Sequence, residues 1–214
     1  MPLKLITGPT DEPIDLDQAK AHLRVDSTYE DDLIESLVSA ARSRIEEETR
    51  RALITQTWEL TLDYFDINTV NTTVTPSVVS GASQILLPRP PIQSVSYVSY
   101  LDADGNTVYL HDTVGSPTVT SNLAVDTKSE PGRIVPVYGT TWPTTYDQIN
   151  AVTIRYVCGY GADGQLVPGP LRSAILLLLG HLHKNREATA ESLAELPMGV
   201  QYIIAPYRVL SLAV

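Results

Sequence analysis

The sequence predicts an α+β chain with helices at both ends and an all-β stretch between them. Three observations carry this. A helical apolar stripe runs through the first fifty residues, and alternation at period two replaces it near residue 55. A strongly apolar helical pattern then returns after Pro170. The expected architecture is a helical core formed by the N-terminal and C-terminal helices, with a small sandwich- or barrel-like insertion. The expected parts are residues 1–55, 56–160 and 161–214, the two helical parts packing as one domain.

The first helix is read from DLDQAKAHLRV (15–25), where Leu16, Ala19 and Leu23 fall at helical spacing and Asp15 is placed to cap. The second is the clearest in the chain. Its stripe is Leu33/Ile34, Leu37/Val38, Ala40/Ala41 and Ile45. Ser27 with Glu30, or Thr28 with Asp31, offers a capping-box start, and Glu30, Asp31 and Asp32 suit the positive end of the helix dipole. On its polar face, Glu46–Arg50 and Glu47–Arg51 are i, i+4 pairs in the favourable order. That face is either solvated, or a surface that meets a neighbouring subunit or lines a channel.

From Thr55 to Cys158, Thr, Val, Tyr and Ile dominate. TWELTLDYF (57–65) alternates Trp58, Leu60, Leu62 and Tyr64 against polar residues. A hairpin is expected with arms near 93–101 and 107–111 and its turn at Asp102–Asn106. NLAVDTKSEPGRIVPV and NAVTIRYVCGY supply further strands, which together suit a sandwich or barrel. A helix is then expected over Leu171–Arg186, covered on several sides. Pro206 restricts the tail to a short helical piece.

Composition excludes several classes. With four lysines and a formal charge of −10, the surface does not suit wrapping nucleic acid through its phosphates. The acidity serves solubility, or forms a wall that DNA slides past. The single cysteine, Cys158, rules out disulfides and cysteine-built zinc sites within one chain, and its apolar strand suggests a buried thiol. No signal peptide is expected from MPLKLITGPTDEP, and the longest apolar run, Ala174–Leu179, is too short for a bilayer.

Gly159, Gly161 and Gly164 spell G-x-G-x-x-G, the fingerprint of a dinucleotide turn. Such a turn needs the helix to open inside the motif, so that free N–H groups meet the pyrophosphate. Here Gln165–Gly169 intervene, Pro168 and Pro170 lack N–H groups, and the preceding chain is antiparallel-looking β. The glycines read as the exit from the β region, and no cofactor is expected. DADGN (102–106) resembles the start of a calcium loop, but its glycine is misplaced and Thr113 stands where the bidentate Glu belongs. His181 and His183, two apart on a helix, point to different sides, and His22 and His111 have no local ligand partner. No nucleophile elbow is present. Neither a catalytic nor a metal-binding residue is assigned, and the chain is not expected to be an enzyme.

Three stretches together resemble the head–tail connector (adaptor) proteins of tailed bacteriophages, in the longer form with a β-rich insertion. They are IDLDQAKAHLRVDSTYEDDLIESLVSAARSRIEEETRRAL, then VTIRYVCGYG with VPGPLRSAILLLLGHLHKNRE, and finally LPMGVQYIIAPYRV. The helical ends, about half the chain, carry the likeness in order, and the insertion adds little beyond its last strand.

The resemblance implies a structural virion part made in the host cytoplasm and located in the neck. It implies a ring of about a dozen copies beneath the portal, which extends the DNA channel and docks the next neck or tail protein. Its implied partners are therefore other copies, the portal, a downstream protein, and DNA passing without sequence-specific binding. No membrane partner is implied. By the same resemblance, Pro206, Tyr207, Arg208, Val209 and Leu210 would reach the portal, although Tyr207 could equally pack on its own domain. Glu35, Arg42, Glu46 and Arg50 are the candidates for a subunit contact or channel face. Two alternatives stay open: a tail-completion or stopper protein, and a carbohydrate-binding β module.

Overall fold

In the computed structural model, which describes residues 3–65, 84–112, 122–185 and 196–209, the chain divides into two compact units. One holds Met1–Gly8, Gln56–Gly159 and Leu210–Val214; the other holds Pro9–Thr55 and Tyr160–Val209.

In the helical unit, Asp15 caps α1 (Leu16–Leu23) by accepting from Gln18 N at 2.7 Å. The next helix, α2 (Asp31–Thr49), starts without a side-chain cap. The expected capping boxes do not form, because Ser27 Oγ closes a tight local turn by accepting from Tyr29 N. Asp31 and Asp32 still occupy its first turn. Of the expected stripe, Ile34, Val38, Ala41 and Ile45 are buried, while Leu33 is exposed. Helix α3 (Gly169–Lys184) carries Pro170 in its first turn, where a missing N–H costs nothing. A short α4 (Met198–Ile204) runs into one 3₁₀ turn, Ala205–Tyr207, at Pro206. One apolar cluster draws on both ends of the chain: Ile14, Ile34, Val38 and Ile45 with Leu171, Ile175, Leu179, Val200 and Ile204.

The β unit has two sheets. The five-stranded sheet contains β1 (Leu3–Thr7), β2 (Gln56–Leu62), β4 (Ile92–Leu101), β5 (Thr107–Asp112) and β8 (Val152–Cys158). Its order is β1-β2-β8-β4-β5, antiparallel throughout. The three-stranded sheet pairs β3 (Ile85–Leu87), β7 (Gly132–Pro136) and β6 (Leu123–Asp126), in the order β3-β7-β6. The hairpin turn forms as expected: Asp102 N donates to Asn106 O, and Gly105 sits at φ +80°.

Alternation sorts the larger sheet into two faces. Leu60, Leu62, Val95, Val98, Val152, Ile154, Tyr156 and Cys158 are buried. The smaller sheet approaches that face: a Cβ at Gly132 would collide with the Ile92 side chain, and the Tyr156 hydroxyl donates to Pro88 O at 3.0 Å. The opposite face is polar. Arg155 Nη2 donates to Glu59 Oε2 at 2.6 Å, Tyr97 reaches the same oxygen at 3.2 Å, and the Tyr97 ring lies 5.0 Å from the Arg155 guanidinium. The expected alternation ends early, because β2 stops at Leu62. Tyr64 is exposed, and Phe65 takes the core position, stacked on Trp142 at 4.5 Å.

Candidate interaction surfaces

The C-terminal segment is held to the end of α2 by both backbone and side chain. Val209 N donates to Thr49 O at 2.9 Å, and Arg51 Nε donates to Tyr207 O at 2.6 Å. The Glu48 carboxylate then bridges two arginines: Arg208 Nη2 at 2.9 Å and Arg44 Nη2 at 2.8 Å. Pro206 and Arg208 are exposed, whereas Tyr207 is half-buried against the helical core. Tyr207 thus spends part of its ring on its own domain. Leu210 lies outside the described residues. Met198 and Tyr202, one turn apart on α4, are 72% and 76% exposed, while Val200 and Ile204 are buried. Sequence reasoning missed this outward pair, since the two apolar i, i+4 pairs of this helix look alike.

The four residues expected to share one face of α2 separate. Arg42 and Glu46 are only 8% and 5% exposed. Arg42 Nε donates to Glu12 Oε2 at 2.7 Å and its Nη1 to Glu46 Oε2 at 2.8 Å. The other Glu46 oxygen accepts from Leu53 N at 2.8 Å. These two residues close the subunit on itself, so as an outward face they are corrected. Glu46 looks back to Arg42, not on to Arg50 as expected. Burial without water is why both carboxylate oxygens find donors.

Glu35 and Arg50 are exposed. Arg50 ends α2 in a left-handed conformation, φ +56°, which glycine adopts more cheaply by about 1 kcal/mol. A residue kept at that cost is consistent with a use for its side chain. Arg44 and Arg208 meet on Glu48 near the end of α2, and Arg50 stands at its C-terminus.

The glycine motif resolves as close packing. Gly159 sits at φ +119°, and a Cβ at Gly164 would meet Glu12 O and Pro13 Cα. Asp163 caps the 3₁₀ turn Gly164–Leu166 by accepting from Gln165 N, and α3 begins only at Gly169. No α-helix opens inside the motif. His183 Nε2 lies 3.2 Å from Glu30 Oε2, and His181 Nδ1 lies 3.4 Å from Asn185 Nδ2, so the two rings do point apart. Cys158 is buried and outside any disulfide. Among the described residues, no cluster of three or more His, Cys, Asp or Glu could hold a metal, and no helix is long and apolar enough to cross a membrane.

No curated protein matches the chain. Residues 13–100 match the family model of the phage gp6-like head-tail connector proteins. That match includes the N-terminal stretch that suggested the resemblance, and runs on through β2, β3 and most of β4. It extends further into the β unit than expected, and leaves the two C-terminal stretches outside.

Solved structures of gene transfer agent particles contain a chain similar along its whole length. In the virion of the native particle the similar chain is 21% identical with a TM-score of 0.71, covering 98% of this chain and 96% of that one. In the neck of the empty particle, computed with C6 symmetry, the coverage and identity are the same and the TM-score is 0.72. In the neck of the native particle, computed with C12 symmetry, the TM-score is 0.68. The likeness is therefore shown at the N-terminal stretch: the chain matches the head–tail connector pattern over residues 13–100, and it shares its fold with a chain of these neck structures.

Proposed function

We propose that this protein is a structural head–tail connector of a phage-like particle. It forms a cyclic ring in the neck, beneath the portal, extends the DNA channel and presents a platform to the next neck or tail protein. The observation that carries this reading is the coincidence of two likenesses. The connector family model covers α1, α2 and the first strands of the β unit. The fold as a whole is similar to a chain in neck structures of cyclic symmetry. The relatives are structural parts, which supports a role without catalysis. The helical unit acts in this reading as the core, and the β unit as its insertion.

Within the reading, the outward residues of the tail serve the portal contact. They are Pro206, Arg208 and, from the structure, Met198 and Tyr202. Aromatic and arginine side chains that lose water together are the usual anchors of an interface. Glu35 and Arg50 remain as the subunit- or channel-facing pair, since Arg42 and Glu46 are withdrawn. An acidic lumen would weaken adhesion of passing DNA.

Co-sedimentation with the cognate portal ring tests the proposal. Complete removal of residues 206–214 would also break the Arg51–Tyr207 and Thr49–Val209 bonds, so Arg208→Ala and Tyr202→Ala are the cleaner variants. Arg208 pairs with Glu48 at the surface, and its replacement by Ala costs about 0–1 kcal/mol of stability. Stoichiometric binding lost in these folded variants supports both role and site. Binding that survives them keeps the role and moves the site. No binding by the unmodified chain moves the protein down the neck, to a tail-completion or stopper part.

A further inference from the structure

The five-stranded sheet ends, among the described residues, on two unpaired edges, β1 and β5. Natural sheets usually blunt such edges, because a row of free N–H and C=O groups templates another strand. Here β1 reads LKLIT, is exposed over Lys4–Thr7, and leaves Leu5 and Ile6 open to solvent. That is a strand composed for pairing rather than for water.

The polar face of the sheet supplies the complement. Register places one residue from each strand in a single row: Lys4 opposite Glu59, Glu59 opposite Arg155, Arg155 opposite Tyr97, and Tyr97 opposite Asp112. Charge alternates along it, from a cation on the β1 edge to an anion on the β5 edge. The interior members are bonded to one another at Glu59 Oε2. Among the described residues, Lys4 has no carboxylate within ion-pair distance. Asp112, at the far end, is a carboxylate with lone pairs for more than one donor.

Four successive antiparallel pairings also leave β1 and β5 running in the same direction. Two copies related by a rotation therefore bring β5 of one beside β1 of the next as a parallel pair. A two-fold axis would instead set like edges together, Lys4 against Lys4. Cyclic repetition is the arrangement that satisfies the charges.

We infer that the β1 edge of one copy adds to the β5 edge of its neighbour, with Lys4 meeting the neighbour's Asp112, so that the sheet continues from copy to copy. The inference rests on the ring reading above and specifies which surfaces close the ring.

The test is the double variant Lys4→Cys with Asp112→Cys in the full chain, assembled on the portal ring and oxidised. Adjacent strands lie about 4.8 Å apart, within the reach of a disulfide. The native thiol, Cys158, is buried and does not compete. A denaturing gel should show a ladder of covalent dimers, trimers and higher species, while either single variant gives monomer. In parallel, Lys4→Asp should weaken assembly about tenfold or more, and adding Asp112→Lys should restore it. Rings that form normally but give no ladder overturn the edge pairing and leave the ring reading standing. Dimers from Lys4→Cys alone mean two-fold pairing and overturn it too. Failure of the unmodified chain to form rings removes the reading underneath, and the inference with it.

Discussion

Arg42 and Glu46 form an ion pair one helical turn apart, at 2.8 Å, with both side chains withdrawn from solvent. Glu12 supplies a second carboxylate to the same guanidinium from thirty residues upstream, and Leu53 N donates to the other Glu46 oxygen. The group ties the segment before α1 and the turn after α2 to the middle of that helix. Removing one member leaves a buried charge short of its partner, so Glu46→Ala should cost about 3 kcal/mol in urea unfolding. Glu35→Ala, on the exposed side, should stay within about 0.5 kcal/mol. Arg50→Gly should stabilise by up to about 1 kcal/mol, because it relieves a left-handed arginine. Loss of assembly in that more stable variant would show that the side chain is kept for contact.

Gly164 and Gly161 should respond differently to Ala. At Gly164 the added methyl meets main-chain atoms of Glu12 and Pro13, which cannot step aside without moving the chain. At Gly161 it meets first the tip of the Leu166 side chain, which can rotate. Gly164→Ala should cost about 1–3 kcal/mol, and Gly161→Ala clearly less. Thermal unfolding of the two variants distinguishes them.

Burial holds the Tyr156 phenol far above its ordinary value of 10.0, and its hydroxyl donates to Pro88 O. The native chain therefore keeps a proton that the unfolded chain releases once pH passes about 10. The contribution to stability is whole below that pH and declines as pH rises above it. Tyr156→Phe should lose about 1 kcal/mol at neutral pH. It should also flatten the alkaline fall in stability measured by denaturation between neutral pH and the strongly alkaline range.

Asp126 shows the opposite sign. Its carboxylate accepts from Ser129 Oγ at 2.6 Å, and from Lys128 N and Arg133 Nε, which holds its pKa down at about 2. Such a group stabilises the β6–β7 turn above its ordinary 3.8, and that contribution fades as pH falls towards 2. Carboxyl titration by NMR should find the low value, and Ser129→Ala should raise it.

Much of the helical unit was legible. The cap at Asp15, the buried stripe of α2 and Pro170 at the head of α3 are local signals, each acting within one or two turns. The burial of Arg42 and Glu46 was not, since an i, i+4 charge pair looks the same on a wet face and on a covered one. What covers it comes from Glu12 and Leu53. Strand β1 escaped because its five residues, lying between Pro2 and Pro9, give too short a run for periodicity. The hairpin at Asp102–Asn106 was readable from its turn chemistry. The placing of β8 between β2 and β4 was not, because no local signal specifies a partner sixty or ninety residues away. The N-terminal stretch carried a likeness that the family match bears out, yet that reading misjudged how far the pattern enters the β unit.

The central strand of the larger sheet, β8, is also the last of the described strands to leave the ribosome. Until it emerges, β2 and β4 have no neighbour between them, and α2 waits longer still for α3 to cover its stripe. Both units thus close late, through contacts of long sequence separation, which slows folding and prolongs the exposure of sticky surface. A nascent chain stalled before residue 152 should hold its hairpins but neither finished core. On the proposed connector reading, this makes synthesis through α3 and α4 the step that releases a subunit competent to assemble.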